Sequence, residues 1–469
     1  MPGIQPTNTL LSNITSHDVS NFDIDSITGF MPLRQPISRL SEPWNAWEGI
    51  LDEAIHSQLK LGDSKDLTEE DIQRNESWRK KAREIPVLPI SELKSSEPLL
   101  RRAHLVLAWL MHFYINTLSP GAPIIIPRSI SLPLLEVSNK LVLPPILTYS
   151  DDVLYNWKYK DTVKVGSSTL PTASNIIIQT TFTSTVSEEH FYLVPAYMEL
   201  RGAAALTILS LIMDEVYVRD SIAISRISIY LQHVAHIVDE LTVILMTMKE
   251  KCDPEVFYHQ VRPWIKGQDS MDGGRRWKFE GVGEPGYEHL KHPTDDQLHG
   301  PSAGQSSLIH AIDIFLGINN HTTTSPESGV SQKGKENEGQ SFLGMMQRYM
   351  PRHHREFLRH LSNNPRPLRT LVDEETSDGR NPELRATYNA AIGALRNLRD
   401  HHLRIVAMYI IGPSRRVTAG KRVTNESEGK DAEIDDDTSG EKGTGGTDAM
   451  VFLKGVRDRT AKAVLNQHS

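Results

Sequence analysis

Residues Leu384–Ile411 read LRATYNAAIGALRNLRDHHLRIVAMYII, and their spacing decides the fold. Leu384, Tyr388, Ala391, Leu395, Leu398, His402, Ile405 and Tyr409 recur every three or four residues, so a helix gathers them on one face. Asn381-Pro382 stands where a helix is capped and begins, and Gly412-Pro413 where one stops. Arg396, Asn397, Asp400 and Arg404 fall mostly off that face. One residue on the stripe is out of character. His402 is in line with the apolar residues, whereas His401 is turned about 100° toward the edge. A buried imidazole needs partners for its nitrogens. Two readings stay open on this stretch alone. His402 is a core histidine bonded to a backbone carbonyl, or it is an axial ligand to an iron cofactor, which a neutral imidazole on an apolar helix face suits.

The chain around it has 469 residues, enough for about two or three domains. Its net charge of −8 and pI near 6.2 offer no basic surface, so nucleic acid is not an expected partner. The single cysteine, Cys252, excludes an internal disulfide framework and a cysteine-rich metal site. The first residues have no basic group before their short apolar patch, and no arginine, so neither a secretory signal nor a transit peptide is expected there. The most apolar long segment, 203–218, is broken by Asp214 and Glu215 and reads as too short for a bilayer. The expectation is a soluble, cytoplasmic protein without a membrane partner.

Read in order, the chain begins with a flexible tail, 1–20. Helices are expected at 43–61, 72–85, 99–118, 133–141 with Pro133 in its first turn, and from about Tyr149 or Ser150. His104 and His112 on the third of these read as core or edge residues. The run 176–182 looks extended. Further helices follow at 188–218, 221–251, 254–266, 302–318, 342–350, 354–361 and 448–467. Residues 321–340 and 418–447 are polar and glycine-containing, hence mobile loops. The fold class is all-α. A small helical N-terminal domain, 21–170, joins a large helical domain, 188–469, through a connection at 171–187.

Several tempting motifs fail. Gly329 to Lys335 resembles a phosphate loop, but Glu336 stands where Ser or Thr is required. Gly281-Val-Gly283-Glu-Pro-Gly286 lacks the surrounding strand–helix–strand unit of a dinucleotide site. His353, Glu356 and His360 share a helix face without a further ligand nearby, so a surface helix is expected.

Five separated segments say more together. They are Leu143 to Lys158 (LPPILTYSDDVLYNWK), Phe257-Tyr258-x-x-Val-Arg262-Pro263, Ser302-Ala303-Gly304-Gln305-Ser306-Ser307, Leu398-Arg399-Asp-His-His402-Leu, and Gly443-Thr-Gly-Gly-Thr447-Asp448. With Arg348-Tyr-Met-Pro351 and Phe191-Tyr-Leu-Val194, they resemble the indoleamine 2,3-dioxygenase family, in a fungal-like form, over roughly residues 30–465. The resemblance implies haem b as cofactor, His402 as proximal iron ligand, and L-tryptophan and O₂ as substrates, with an electron donor to reduce the ferric haem. Both oxygen atoms would end in N-formylkynurenine, with no protein side chain acting as acid or base. It further implies that Arg262 holds the substrate carboxylate. Tyr149, Phe191, Phe257 and Tyr258 would form the wall around the indole. Ser302, Ala303 and Gly304 would let backbone approach the cofactor, with Ser302 and Ala303 also against the substrate; the loop Gly443 to Thr447 would close over the pocket, Thr447 bonding the substrate ammonium or a propionate. Arg399 would pair with a haem propionate or with Asp313. Four positions depart from the family pattern. Pro195 stands for a distal serine, Asp152 for a small neutral residue, Tyr258 for a phenylalanine and His259 for a serine. Asp152 and Pro195 motivate a second reading, a haem dioxygenase acting on another indole or only weakly on tryptophan; a third is a non-catalytic haem sensor that signals through the polar loop 418–442.

Overall fold

The computed structural model describes residues 22, 24–161, 169–270, 275–318, 344–417 and 449–466. The tail 1–20, the polar stretches 321–340 and 418–447, and Thr447 lie outside the described residues. The described chain is a helical assembly around two large apolar cores and one small one.

The first core is built on α1 (Asn45–His56), α2 (Glu69–Glu84) and α3 (Glu97–Asn116). Thr68 and Asp71 cap α2 reciprocally, which satisfies two of its free N–H groups. Every residue from Leu100 to Ile115 of α3 is buried, as an all-round apolar helix requires. His104 and His112 lie in this core. His104 Nδ1 pairs with Asp151 at 2.8 Å, and His112 Nδ1 donates to the Trp264 carbonyl at 2.7 Å. Strand β1 (Ile124–Ile126) follows, then α4 (Arg128–Leu141). This helix starts earlier than its proline suggested, so Pro133 sits inside it rather than in its first turn.

Strand β2 (Trp157–Tyr159) pairs antiparallel with β3 (Ile176–Ile178). The β-like reading of 176–182 thus holds for three residues, and 157–159 was not legible as its partner. Two long helices come next, α5 (Val186–Val218) and α6 (Ser221–Met246). By length and composition, 186–218 and 221–251 could each cross a membrane, so the expectation from 203–218 alone is corrected. Here Leu209, Ile212, Ile227, Leu231 and Val238 are packed inside the second core.

The segment expected as one helix at 254–266 is three short pieces. After Pro254–Val256 the chain widens into a π turn, Phe257–Val261, then tightens into a 3₁₀ turn, Arg262–Ile265, where Pro263 cannot continue an α ladder. The chain then returns to the first core. Strand β4 (Trp277–Phe279) pairs parallel with β1. Trp264 stacks on Phe182 with ring centroids 5.6 Å apart, and Phe182 stacks on Trp109 at 5.1 Å. The first core is therefore not contiguous in sequence.

The second core is completed by α7 (Ser307–Phe315), α8 (Arg352–Ser362), α9 (Leu368–Thr376) and α10 (Pro382–Val406); α11 (Ala449–Lys462) packs on α10, and Ala463 after it is buried in the same core. Helix α9 was not expected from the sequence. Leu384, Tyr388, Ala391, Leu395 and Leu398 of α10 are buried in this core, as their spacing requires. Two details of its ends differ. Asn381 adopts a left-handed conformation and makes no side-chain cap. Nor does Gly412-Pro413 stop the helix. A π turn at Ala407–Ile411 carries the chain into further helix at 412–417. The π turn leaves a carbonyl without a ladder donor, which suits Pro413, a residue without an N–H.

Gly202 of α5 packs against α7, where an added Cβ would overlap the Leu308 side chain. Gly202→Ala is expected to destabilise the protein by about 1–3 kcal/mol through overpacking, read as a lower urea midpoint.

Candidate functional site

A cavity of about 290 Å³ lies between α5, α7, α10, α11 and the turns before them, near the lower end for small-molecule sites. Three π turns, Ser150–Leu154, Phe257–Val261 and Ala407–Ile411, all feed its wall, through Asp152 and Val153, Phe257, and Tyr409 and Ile410. A π turn rotates a side chain off the helical register, which is how one wall receives residues from three separate segments. Inside α5, Pro195 lines the same cavity. Its missing N–H frees the Phe191 carbonyl from the ladder, and the Phe191 ring packs on Phe257 at 4.4 Å.

His402 projects from the last turns of α10 into this space. Its ring is not sealed in the core as the stripe suggested. It is partly accessible, and it lines the cavity. Neither ring nitrogen has a hydrogen-bond partner among the described residues. His401 is satisfied on its own helix, its Nδ1 donating to the Asn397 carbonyl at 2.9 Å. Burial, with the nearby Arg399 charge, pushes His402 down to about 4, so the imidazole is neutral at physiological pH. The carbonyl-bonded core histidine is not what the structure contains.

One turn earlier, Arg399 is fixed. Its Nη2 reaches both Asp313 oxygens at 2.6 Å, and its Nη1 donates to Thr460 of α11. Arg399 is 8% exposed and Asp313 3%, so this pair ties α10 to α7 in a dry setting. Asp313 is one of the two partners expected for Arg399. Beside it, His310 Nε2 donates to the Gly304 carbonyl at 2.9 Å, which holds the Ser302–Gly304 backbone against the cavity.

The opposite wall carries buried carboxyls. Tyr149 Oη donates to Glu199 Oε1 at 2.9 Å, and Ser306 Oγ donates to the same atom at 2.7 Å. Burial raises Glu199 to about 7 against these two bonds, which lower it. Asp152 is pushed well above the usual carboxylate range by burial, then by Asp151.

Of the residues expected at the site, Tyr149, Phe191, Phe257, Ser302, Ala303, Gly304, Asp313, Arg399 and His402 line one cavity. Arg262 and Tyr258 do not line it. They sit on the adjoining turn, the Arg262 guanidinium 5.1 Å from the centre of the Tyr258 ring, while Phe257 and Ile265 on either side reach the wall. Arg262 is buried there. His259 lies at the surface beside Glu255, at 3.3 Å. His353 and Glu356 form a 3.3 Å pair, and no cluster able to hold a bare metal ion exists among the described residues. Glu199 was missed. The signal was a carboxylate one turn after Pro195 in the otherwise uncharged stretch 191–200.

Fold and site together define an all-helical protein that presents one neutral, unpartnered imidazole to a buried apolar slot. The sequence pattern of the family described as "Indoleamine 2,3-dioxygenase" matches residues 18–463. Indoleamine 2,3-dioxygenase of Saccharomyces cerevisiae is 33% identical over 450 residues, covering 92% of this chain and 90% of the yeast protein. Indoleamine 2,3-dioxygenase 1 of Rattus norvegicus is 30% identical over 452 residues, 96% of each chain. Indoleamine 2,3-dioxygenase 2 of Homo sapiens is 32% identical over 384 residues, 81% of this chain and 83% of its own. The chain belongs to the indoleamine 2,3-dioxygenase family, a family of haem-dependent oxidoreductases.

Glu199 gives a pH test. Its native value is raised above the ordinary 4.5, so the folded state keeps a proton that the unfolded state has released. Stability therefore falls as pH rises from about 4.5 to about 7. Glu199→Gln keeps an acceptor for Tyr149 and Ser306 but cannot ionise. Its stability relative to the native protein is expected to grow by roughly 1.4 kcal/mol per pH unit across that window, read from urea midpoints.

Proposed function

We propose that this protein is a haem-dependent dioxygenase that opens the indole ring of L-tryptophan with O₂, giving N-formylkynurenine. The observation that carries the reading is His402, a neutral imidazole without a protein partner, facing an apolar slot on a helix of a bundle. That donor set fits haem b. Neutral imidazole nitrogen is an iron ligand, and Leu395, Leu398, Ile405 and Val406 offer an apolar face to a macrocycle. His402 would hold the iron, and the Ser302–Gly304 backbone would lie along the cofactor's edge. Bound haem supplies the activation of O₂ in its ferrous form, which calls for an electron donor.

The chain's own residues bind and orient. Arg399, pinned by Asp313 and Thr460, keeps a fixed positive charge one turn from His402 and disfavours protonation of the ligand nitrogen. Phe191, Phe257 and Val194 exclude water from the reacting face of the indole. Arg262 would take the substrate carboxylate from the turn beside Phe257, a task for which the bidentate guanidinium is suited. In the balanced reaction the indole C2–C3 bond breaks and each carbon gains one oxygen atom of O₂. No proton need come from a side chain.

The test is product formation from L-tryptophan by haem-loaded, pre-reduced protein in air, with mass detection of N-formylkynurenine. Turnover is expected. Haem-loaded protein with no product would overturn the reading. In the same assay Arg262→Ala is expected to raise KM by about 10- to 100-fold, the loss of a charge-assisted pair.

A further inference from the structure

We propose that a second cavity, apart from the haem slot, is a binding site for a small organic monocarboxylate, a carboxylate carried on an apolar or aromatic body.

This cavity has a volume of about 410 Å³. It lies between the irregular segment 32–37, the first turns of α3, Tyr155, and His353 at the start of α8. It shares no lining residue with the cavity that contains His402. Three arginines line it, Arg34, Arg101 and Arg102. Two of them are engaged by protein carboxylates. Arg101 Nη2 donates to Glu97 Oε1 at 2.6 Å, and its guanidinium lies 4.4 Å from the centre of the Tyr155 ring. Glu97 is engaged from a second side, with His353 Nε2 3.6 Å from its Oε2. Arg102 grips Glu48 with two nitrogens, Nε at 2.9 Å and Nη2 at 2.6 Å. That pair is buried, Arg102 at 7% exposed and Glu48 at 1%. The remaining nitrogen of Arg102 is left over. Its Nη1 is shielded and has no hydrogen-bond partner among the described residues. Arg34 is exposed and pairs with no carboxylate among the described residues.

The charges decide the class of ligand. Glu97 answers Arg101 and Glu48 answers Arg102, so the Arg34 charge is unmatched. A shielded guanidinium nitrogen without a partner is costly, and an oxyanion is the acceptor that suits it best. A monoanion restores the balance of the wall. A dianion would bring surplus negative charge against Glu97. The rest of the wall is apolar, with Pro32, Ile37, Leu105 and the Tyr155 ring. An inorganic anion leaves that surface unused, and an organic body fills it. The other occupant is ordered water. Water would satisfy Arg102, leave Arg34 hydrated, and give the cavity no affinity for an organic anion.

The experiment uses benzoate and inorganic phosphate as probes on the haem-loaded protein. Binding is read by equilibrium dialysis, and the haem absorption spectrum is recorded on the same samples. Benzoate is expected to bind at a single site, to leave the haem spectrum unchanged, and to bind about tenfold more tightly than phosphate. Arg34→Gln, at an exposed position, should weaken benzoate binding by about tenfold, the loss of a charge-assisted contact. Arg102→Lys keeps a charge for Glu48 and removes the spare nitrogen, so it should weaken binding as well. If that variant fails to fold, Arg34→Gln alone supplies the comparison. No binding of benzoate, or equal binding by the native protein and Arg34→Gln, would overturn the proposal. Phosphate bound as tightly as benzoate would overturn the carboxylate class.

Discussion

A neutral imidazole without a hydrogen-bond partner, held in an apolar cavity, is the constraint on which the rest of the site depends. Burial and the nearby Arg399 charge keep the His402 imidazole unprotonated, and no described residue offers it a hydrogen bond. Helix α10 presents the ring and packs along α6, and α5 and α7 contribute to the lining of the cavity. The Arg399–Asp313–Thr460 contacts then lock the turn before His402 to two other helices. Breaking such a pair leaves a charge in low dielectric, so the ligand's position is tied to the stability of the bundle.

Departures from regular helix are concentrated where the cavity is. The π turns at 150–154, 257–261 and 407–411, with Pro195 inside α5, are all places where an ideal ladder is broken. Each costs backbone hydrogen bonding, and each turns a side chain toward the slot. Local strain at a binding site, compensated by packing elsewhere, is the expected pattern. The two small sheets act differently. They tie 157–159 to 176–178 and 124–126 to 277–279, and they bring the segment after Arg262 back onto the first core.

Much of this was legible in the sequence, because helical periodicity is a local property. The α10 stripe, the apolar run of α3 and the long helices α5 and α6 all follow from spacing. Residues that line the cavity were recoverable where they belong to family motifs, as with His402, Arg399 and Ser302–Gly304. Other features needed three dimensions. Pro413 looked like a stop because a π turn has no sequence signature. Helix α9 is short and was hidden by its polar exposed face. Glu199 looked like a misplaced charge until Tyr149 and Ser306, distant in sequence, were seen to bond the same oxygen. Arg262 and Tyr258 lie one turn outside the described cavity, a displacement that motif spacing cannot reveal.

The most direct test is haem binding by His402→Gly, in which the side chain is removed and free imidazole can be supplied from solution. Haem retained after gel filtration and the ferric absorption spectrum are the readouts. The account predicts that the native protein retains haem stoichiometrically, that the glycine variant loses most of it, and that added imidazole restores both retention and spectrum. A glycine variant that keeps haem and the native spectrum without imidazole would contradict His402 as the ligand, and with it the central claim.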